Sequence, residues 1–406
     1  MFSFPKEMLS FSLHRILCCQ NFFRFLQFTK ENALKSLNRK RIIVSVTSDL
    51  VSDNRVHKTC TTLVNMGFDV LLIGRKLPQS IELSPRDYQT KRLKLLFLKG
   101  PLFYACFNIR LFCLLLFSRF DVLLANDLDT MPANFLASRL KSKPMVYDSH
   151  EFFTEVPELV KRPRVKKVWE WIERKTVPRI EHAYTVCNSI ADIYTEKYNV
   201  PFRVVRNVPV AASQAQKVDK EYGDTKKVIL YQGAVNVGRG LEQAILAMKW
   251  VQNARFVIAG DGDIRQQLEK LTDDEELQNK VQFVGRLSIN DLAKLTPQAD
   301  LGLSIEQDMG LNYRYALPNK LFDYIQARIP VLVTNLPEMA AIVKKYDIGD
   351  VTDSLEPNVL AKIFTEMLSD KNRRKNWQQN LEKAASELTW ENEERVLGEI
   401  FQPFLS

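Results

Sequence analysis

This chain has little with which to build a disulfide scaffold or a metal centre. Its six cysteines are scattered over 406 residues with only Cys18 and Cys19 close together, and no CxxC or Cys/His ladder is present. That spacing argues against both disulfides and structural zinc, and for a reducing compartment. Four histidines leave little material for a multi-histidine site. There is no solenoid repeat, no heptad rod and no collagen pattern. With 46% hydrophobic and 26% charged residues the composition is that of a globular protein. At about 150 residues per domain, the length predicts two to three domains. A cleavable signal peptide has an uninterrupted apolar stretch and a small-residue cleavage site, and the first 40 residues show neither.

Charge is present but unevenly placed. Residues 1–220 hold 35 Lys+Arg against 20 Asp+Glu, a balance of +15, while the remainder holds 22 against 28, or −6. A basic first half joined to an acidic second half implies that only the first meets an anionic surface. Nucleic acid is the weaker partner, because no RNP, helix-turn-helix or stacking motif accompanies the charge.

Along the chain, apolar runs alternate with helical patterns. Ile42–Val46, Val70–Ile73, Val122–Ala125, Met145–Tyr147, Ala183–Val186 and Arg203–Val205 read as buried strands. The cycle restarts with Val228–Tyr231, Arg255–Ala259, Val281–Phe283, Leu301–Ser304 and Pro330–Val333, with helices expected between the strands. Such alternation predicts an α/β protein of two Rossmann-like domains, each with a mostly parallel sheet. The expected divisions are an amphipathic extension at 1–40, a first domain at 41–207, a polar linker at 208–226 and a second domain at 227–385. A closing helical segment at 386–406 follows, and the whole of 377–401 reads as helical. Ligands of such folds bind at the carboxyl ends of strands, here across the interdomain cleft.

Four strand–turn–helix segments of the second half carry the chemistry. Tyr231-Gln232-Gly233-Ala234-Val235-Asn236-Val237-Gly238-Arg239-Gly240 joins a strand to a helix, and backbone amides plus a cation there make a phosphate cradle. Ile258-Ala259-Gly260-Asp261-Gly262 and Phe283-Val284-Gly285-Arg286-Leu287 follow. The fourth, Leu317-Pro318-Asn319-Lys320-Leu321-Phe322-Asp323, puts Lys320 in a helix's first turn, where the dipole disfavours a cation unless an anion is also present. Asp323 is one turn from Asn319 and positioned to accept from paired hydroxyls.

These four segments, in order, resemble the successive signatures of the group 1 (family 4) retaining glycosyltransferases of GT-B architecture. A fainter likeness runs through VSDNRVHKTCTTLVNMGFDVLLIGR and VYDSHEFF, so that it covers residues 41–400. The resemblance implies two Rossmann-like domains facing each other across a cleft, with a last helix crossing back to the first. It also implies transfer of a sugar from a nucleotide-diphosphate sugar to a hydroxyl acceptor with no cofactor and no obligatory metal. Arg239 would contact the donor pyrophosphate, with Gly233, Lys320, Asn319, Leu321 and the helix amides around it. Arg286 and Leu287 would lie beside the nucleobase, Asp323 would hold the ribose, and His150 would touch the donor sugar near the reacting carbon. His150, Arg239 and Lys320 are the expected catalytic group. Two positions depart from the pattern. Ala234 stands where a second arginine is usual, and Tyr315 replaces the first of two paired glutamates, leaving Glu306 or Asn312 to hold sugar hydroxyls.

Asp127-Leu128-Asp129 could be taken for a metal-binding DxD, but at a strand end before Pro132 the carboxylates are expected to cap a helix. Pro101–Phe117 holds eleven Leu, Ile, Phe or Tyr residues, yet Asn108 and Arg110 sit near its middle and it falls short of the ~20 apolar residues of a span. It is expected to be a first-domain helix, either packed on the sheet or dipping an outer face into a bilayer. The basic run Lys161–Lys167 beside Trp169 and Trp171 suits an anionic membrane surface. The resulting expectation is an enzyme peripheral to the inner face of the membrane, acting on a lipid-linked acceptor in cell-surface polysaccharide or glycolipid assembly. The rival readings are an inactive nucleotide-sugar-binding scaffold and a nucleotide-sugar epimerase, for which too few carboxylates and histidines are at hand.

Overall fold

The computed structural model describes residues 39–51, 53–211 and 226–406. Residues 1–38 of the expected extension at 1–40, and most of the expected linker, lie outside the described residues.

The first sheet has seven parallel strands: β1 (Arg41–Asp49), β2 (Asp69–Lys76), β3 (Gln89–Lys94), β4 (Val122–Asn126), β5 (Met145–Ser149), β6 (His182–Thr185) and β7 (Phe202–Val204). Their order is β3-β2-β1-β4-β5-β6-β7. β3 was not anticipated, because QTKRLK is a polar edge strand with no apolar run to mark it. Helices α1 (Asn54–Met66), α2 (Gly100–Phe117), α3 (Met131–Lys141), α4 (Pro157–Val160), α5 (Pro163–Thr176) and α6 (Asn188–Tyr198) cover its faces.

The second sheet holds β8 (Lys227–Gln232), β9 (Ala254–Ala259), β10 (Val281–Gly285), β11 (Leu301–Ser304), β12 (Val331–Thr334) and β13 (Gly349–Thr352), in the order β10-β9-β8-β11-β12-β13. Its helices are α7 (Leu241–Ala247), α8 (Arg265–Asp274), α9 (Ile289–Leu295), α10 (Leu311–Arg314), α11 (Asn319–Gln326), α12 (Pro337–Tyr346), α13 (Pro357–Ser369) and α14 (Lys371–Glu387), and α15 (Trp390–Phe401) closes the chain.

Strand period explains why each sheet is apolar on both faces. Ile43 packs into one first-domain core while Ile42, Val44 and Val46 face the other. Ile229 and Tyr231 likewise point away from Val228 and Leu230. Each sheet reverses its strand order beside its first strand, between β1 and β4 and between β8 and β11. Loops diverge at such a switch point and leave a crevice.

The helical stretch expected over 377–401 forms as two helices, α14 and α15. Leu388 and Thr389 leave helical dihedrals, and there the chain passes from the second domain to the first. α15 then docks on α1: Trp390 Nε1 donates to Thr62 Oγ1 at 3.1 Å, and Phe401 meets Phe68 edge-on. Val208, expected in the linker, is fully buried in the second-domain core.

Candidate active site

The loop after β8 is shaped by its glycines. Gly233 has φ 131°, a left-handed conformation that favours glycine. At Gly240, with φ 70°, an added Cβ would strike the carbonyl oxygen of Ile305. The loop delivers Arg239 beside the residues that follow β11. Arg239 Nη1 lies 3.6 Å from Glu306 Oε1, its guanidinium is 5.2 Å from the Tyr313 ring centre, and its buried Nε has no hydrogen-bond partner. From the first turn of α11, Lys320 Nζ reaches the same Glu306 oxygen at 2.7 Å and sits 4.0 Å from the Tyr231 ring centre.

Glu306 is fully buried. Burial raises its pKa, but Lys320, Arg239 and the Ser304 hydroxyl outweigh it and hold the carboxyl below the usual range. This corrects the expected role of Glu306. It has no surface to offer a sugar, and it serves as the resident anion that makes Lys320 tolerable at a helix start. One carboxylate thus faces two cations, and the seat keeps an excess positive charge.

Arg239 and Lys320 line a cavity of about 360 Å³ together with Gly233, Asn319, Leu292 and Asp323. Asp323 accepts from Gln232 Nε2 at 2.9 Å, and burial pushes its carboxyl up to about 6. Asn319 accepts from Asn207 Nδ2 at 2.9 Å. Two expected contacts lie elsewhere. Leu321 is fully buried in the core and its amide donates to the Pro318 carbonyl. Arg286 is exposed and Leu287 packs on the second-domain core, so neither lines this cavity. Core packing takes Leu321 because the apolar face of α11 points inward, and helical position alone did not show which face that was.

Across the cleft, His150 follows β5. Its backbone amide donates to Asp127 Oδ1 at 2.8 Å, its Nδ1 lies 3.3 Å from Asp127 Oδ2, and its Nε2 lies 3.0 Å from Asp148 Oδ2. Asp148 is held from behind by Arg55, with Nη2 at 2.8 Å and Nε at 3.2 Å. Burial opposes both charges. Asp127 and Asp148 nevertheless raise the imidazole to about 9, while Arg55 and His150 hold Asp148 down to about 2. His150 is therefore a fixed imidazolium with a carboxylate at each nitrogen. It presents positive charge and ring edge to the cleft. Both of its ring nitrogens are engaged by carboxylates.

The capping role expected of Asp127 and Asp129 is not what the structure shows. Asp127 adopts φ 57° and turns to His150. Asp129 meets the Thr47 hydroxyl at 2.5 Å, and burial, followed by the charge of Asp127, pushes its carboxyl up to about 8. The start of α3 is capped from outside, by Asn108 Oδ1 of α2 accepting from the Ala133 amide at 3.1 Å. A cap supplied by another helix leaves no local signature. Arg55 and Asp148 were also missed as site residues, although an aspartate closing the apolar strand Met145-Val146-Tyr147 was a signal.

The segment between β11 and α11 bridges the domains. Asn312 Oδ1 accepts from the Phe152 amide at 3.0 Å, and its Nδ2 donates to Glu151 at 3.2 Å. Tyr315 and Leu317 pack against the first-domain core, and the Tyr315 carbonyl takes the Cys187 thiol at 3.4 Å. Glu151 sits in a bend, and desolvation at the cleft together with the charge of Asp127 pushes its carboxyl up to about 7. Between the domains lies a second cavity of about 560 Å³ that takes in His150, Glu151, Tyr315, Asn319 and Arg239. Arg239 and Asn319 line both cavities, so the two meet at the cationic seat.

Two family models match the chain. "Glycosyltransferase Family 4" spans residues 53–209 and "Glycosyl transferases group 1" spans residues 213–384. An uncharacterized glycosyltransferase of Methanocaldococcus jannaschii is 29% identical over 175 residues, covering 42% of this chain and 43% of that protein. The alpha-D-kanosaminyltransferase of Streptomyces kanamyceticus is 28% identical over 171 residues, covering 38% and 44%. The matched region is thus less than half the length of either relative. Among solved structures, sucrose-phosphate synthase from Thermosynechococcus elongatus superposes with TM-score 0.71 at 16% identity, over 90% of this chain and 99% of that one. Anabaena HepE, solved with UDP and glucose, does so with TM-score 0.68 at 14% identity, over 90% and 100%. At these identities the structural likeness is one of fold, and that fold is GT-B.

Proposed function

Because the chain belongs to the group 1 (family 4) glycosyltransferases, we propose that it moves a sugar from a nucleotide-diphosphate sugar to a hydroxyl acceptor with retention of configuration. The carrying observation is the seat at the second-domain switch point. Arg239 and Lys320 share the single buried counter-ion Glu306, and Arg239 keeps a buried Nε–H with no partner. An anion arriving there supplies what the seat lacks, and charge-assisted hydrogen bonds to phosphate are the strong ones. HepE, of the same fold, has been solved with UDP, which supports a nucleotide diphosphate as the occupant.

As the bond to the sugar breaks, negative charge collects on the departing diphosphate. Arg239 and Lys320 are already held in the seat by Glu306, so little reorganisation is needed. Asp323 is placed in the same cavity to accept from ribose hydroxyls, and the imidazolium of His150 faces the reacting centre from the other wall. In a front-face route the leaving phosphate takes the acceptor proton, so no protein base is required. The two carboxylates of the Asp-x-Asp segment are occupied by His150 and Thr47, and the seat's own cations meet the phosphate charge. Both features support transfer without an obligatory metal. A lipid-carried acceptor, in cell-surface polysaccharide or glycolipid assembly, places the enzyme as a peripheral protein at the cytoplasmic face of a membrane.

Titration calorimetry with nucleoside diphosphates tests the seat. Binding by the native chain and at least about tenfold weaker binding by Arg239→Ala are expected, since a hydrogen bond to a charged group is worth about 1.5–3 kcal/mol. Equal affinity in the two proteins refutes it.

A further inference from the structure

The structure also carries an apolar surface that the catalytic cleft does not use. α2 is 18 residues long with mean hydropathy 1.7, apolar enough by length and composition to cross a membrane, yet only 22% of it is buried. It is not a loose span, because Phe103, Phe107, Leu111 and Leu115 lie in the first-domain core and Asn108 is bonded to the Asp129 carbonyl and the Ala133 amide. The opposite stripe, Leu102, Ile109, Leu116 and Phe117, stays exposed, with Phe117 at 87%. On the neighbouring α3, Leu136 and Leu140 are exposed, and on α5 so are Val168 and Trp171. Trp169, expected at an interface, instead packs edge-on against Tyr104 and Phe153. Soluble monomers rarely leave large apolar surfaces open without a partner for them.

The charge around this surface is mostly basic, with Glu158 an exposed acid on the adjoining α4. Residues 89–120, which include α2, contain six Lys or Arg and no Asp or Glu. Arg164, Lys167, Arg174 and Lys175 are exposed on α5. Of the acids on that helix, Glu170 is half-buried, and Glu173 is fully buried with Lys197 Nζ at 2.8 Å. Arg139, Lys143 and Arg179 line a recess of about 350 Å³ at the far end of α3, with Glu181 as its one acid.

We propose that the outer face of α2, α3 and α5 is a docking surface for an anionic bilayer, its leucines, Ile109 and Trp171 entering the interface while the surrounding cations meet lipid phosphates. Helices with apolar outer stripes and basic flanks lie in the headgroup boundary, and cations near it add to the attraction. A second copy of the chain fits this surface less well, because a two-fold contact sets each basic rim against its own like. The surface deepens the lipid-carried-acceptor reading and rests on that reading only for its purpose.

The test is co-sedimentation of the full chain with phosphatidylcholine vesicles, with and without phosphatidylglycerol. Binding is expected to the phosphatidylglycerol vesicles and to fall at high salt. Ile109→Glu/Leu116→Glu is expected to weaken it at least tenfold, and Leu140→Glu, on a different helix, also to weaken it. Arg164→Gln and Lys167→Gln are each expected to cost roughly fivefold. Unchanged partitioning of variants with native thermal unfolding overturns the proposal, as does a dimer that the same substitutions dissociate while vesicles go unbound. Calorimetry with a nucleoside diphosphate on the same variants reports separately on the donor seat, which lies in the other domain.

Discussion

At the scale of single residues, two buried charge systems face each other across the cleft and answer to pH in different ways. Asp323 is pushed up to about 6 by burial, so it is ionised at neutral pH and becomes protonated just below. A carboxylate accepts two hydroxyls better than a carboxylic acid does. Nucleoside diphosphate affinity is therefore expected to fall as pH drops through about 6, and Asp323→Asn to flatten that dependence in calorimetry across a pH series. Arg55 has a different task. It is buried against a fully buried Asp148, and removing one partner of such a pair leaves an uncompensated charge. Arg55→Ala is expected to cost about 3–5 kcal/mol, read as a lowered denaturation midpoint.

At the scale of elements, short loops set the position of the cationic seat. The loop carrying Arg239 passes so close to the residue after β11 that Gly240 has no room for a side chain, and its φ of 70° is strained for any other residue. Gly240→Ala is expected to lower stability by about 1–3 kcal/mol and to weaken diphosphate binding by displacing Arg239. Gly398, within α15, has open space around its Cα. Gly398→Ala is expected to raise stability by about 0.5–1 kcal/mol, as helix propensity dictates. Thermal unfolding of the two variants should show opposite signs. The Tyr315 segment is a further element-level device. Tyr315 packs its ring on the opposite domain, so this position serves as an interdomain contact at the cleft wall.

For the whole molecule, the first-domain charge network predicts the shape of the pH–stability curve. His150 is raised from 6.5 to about 9, so its contribution is complete below 6.5 and is lost as pH rises through about 9. Asp129, raised from 3.8 to about 8 by burial, also favours unfolding as pH rises, since the unfolded chain releases that proton more readily. Asp148, lowered to about 2, contributes above 3.8 and loses its contribution as pH falls towards 2. Thermal midpoints are expected to decline from about pH 7 to about pH 9, and the decline to be shallower in Asp129→Asn. A midpoint that rises over that interval contradicts the network.

The alternation of apolar runs determined the two parallel sheets, because a strand buried on both faces must be apolar throughout whatever its neighbours are. Spacing along the chain likewise placed Arg239, Lys320 and Asp323 near one another, since strand-to-helix turns in a parallel sheet gather at one edge. The edge strands β3 and β13 escaped, as neither QTKRLK nor GDVT carries an apolar run of its own. The roles of particular side chains were a matter for tertiary structure. That Glu306 is a counter-ion, that Leu321 is core, that both ring nitrogens of His150 are engaged and that Trp169 points inward while Trp171 points out all depend on what stands opposite. A side chain's chemistry is set by its partner in space, and partners such as Arg55 and Asp148, 93 positions apart, meet only once the chain has folded.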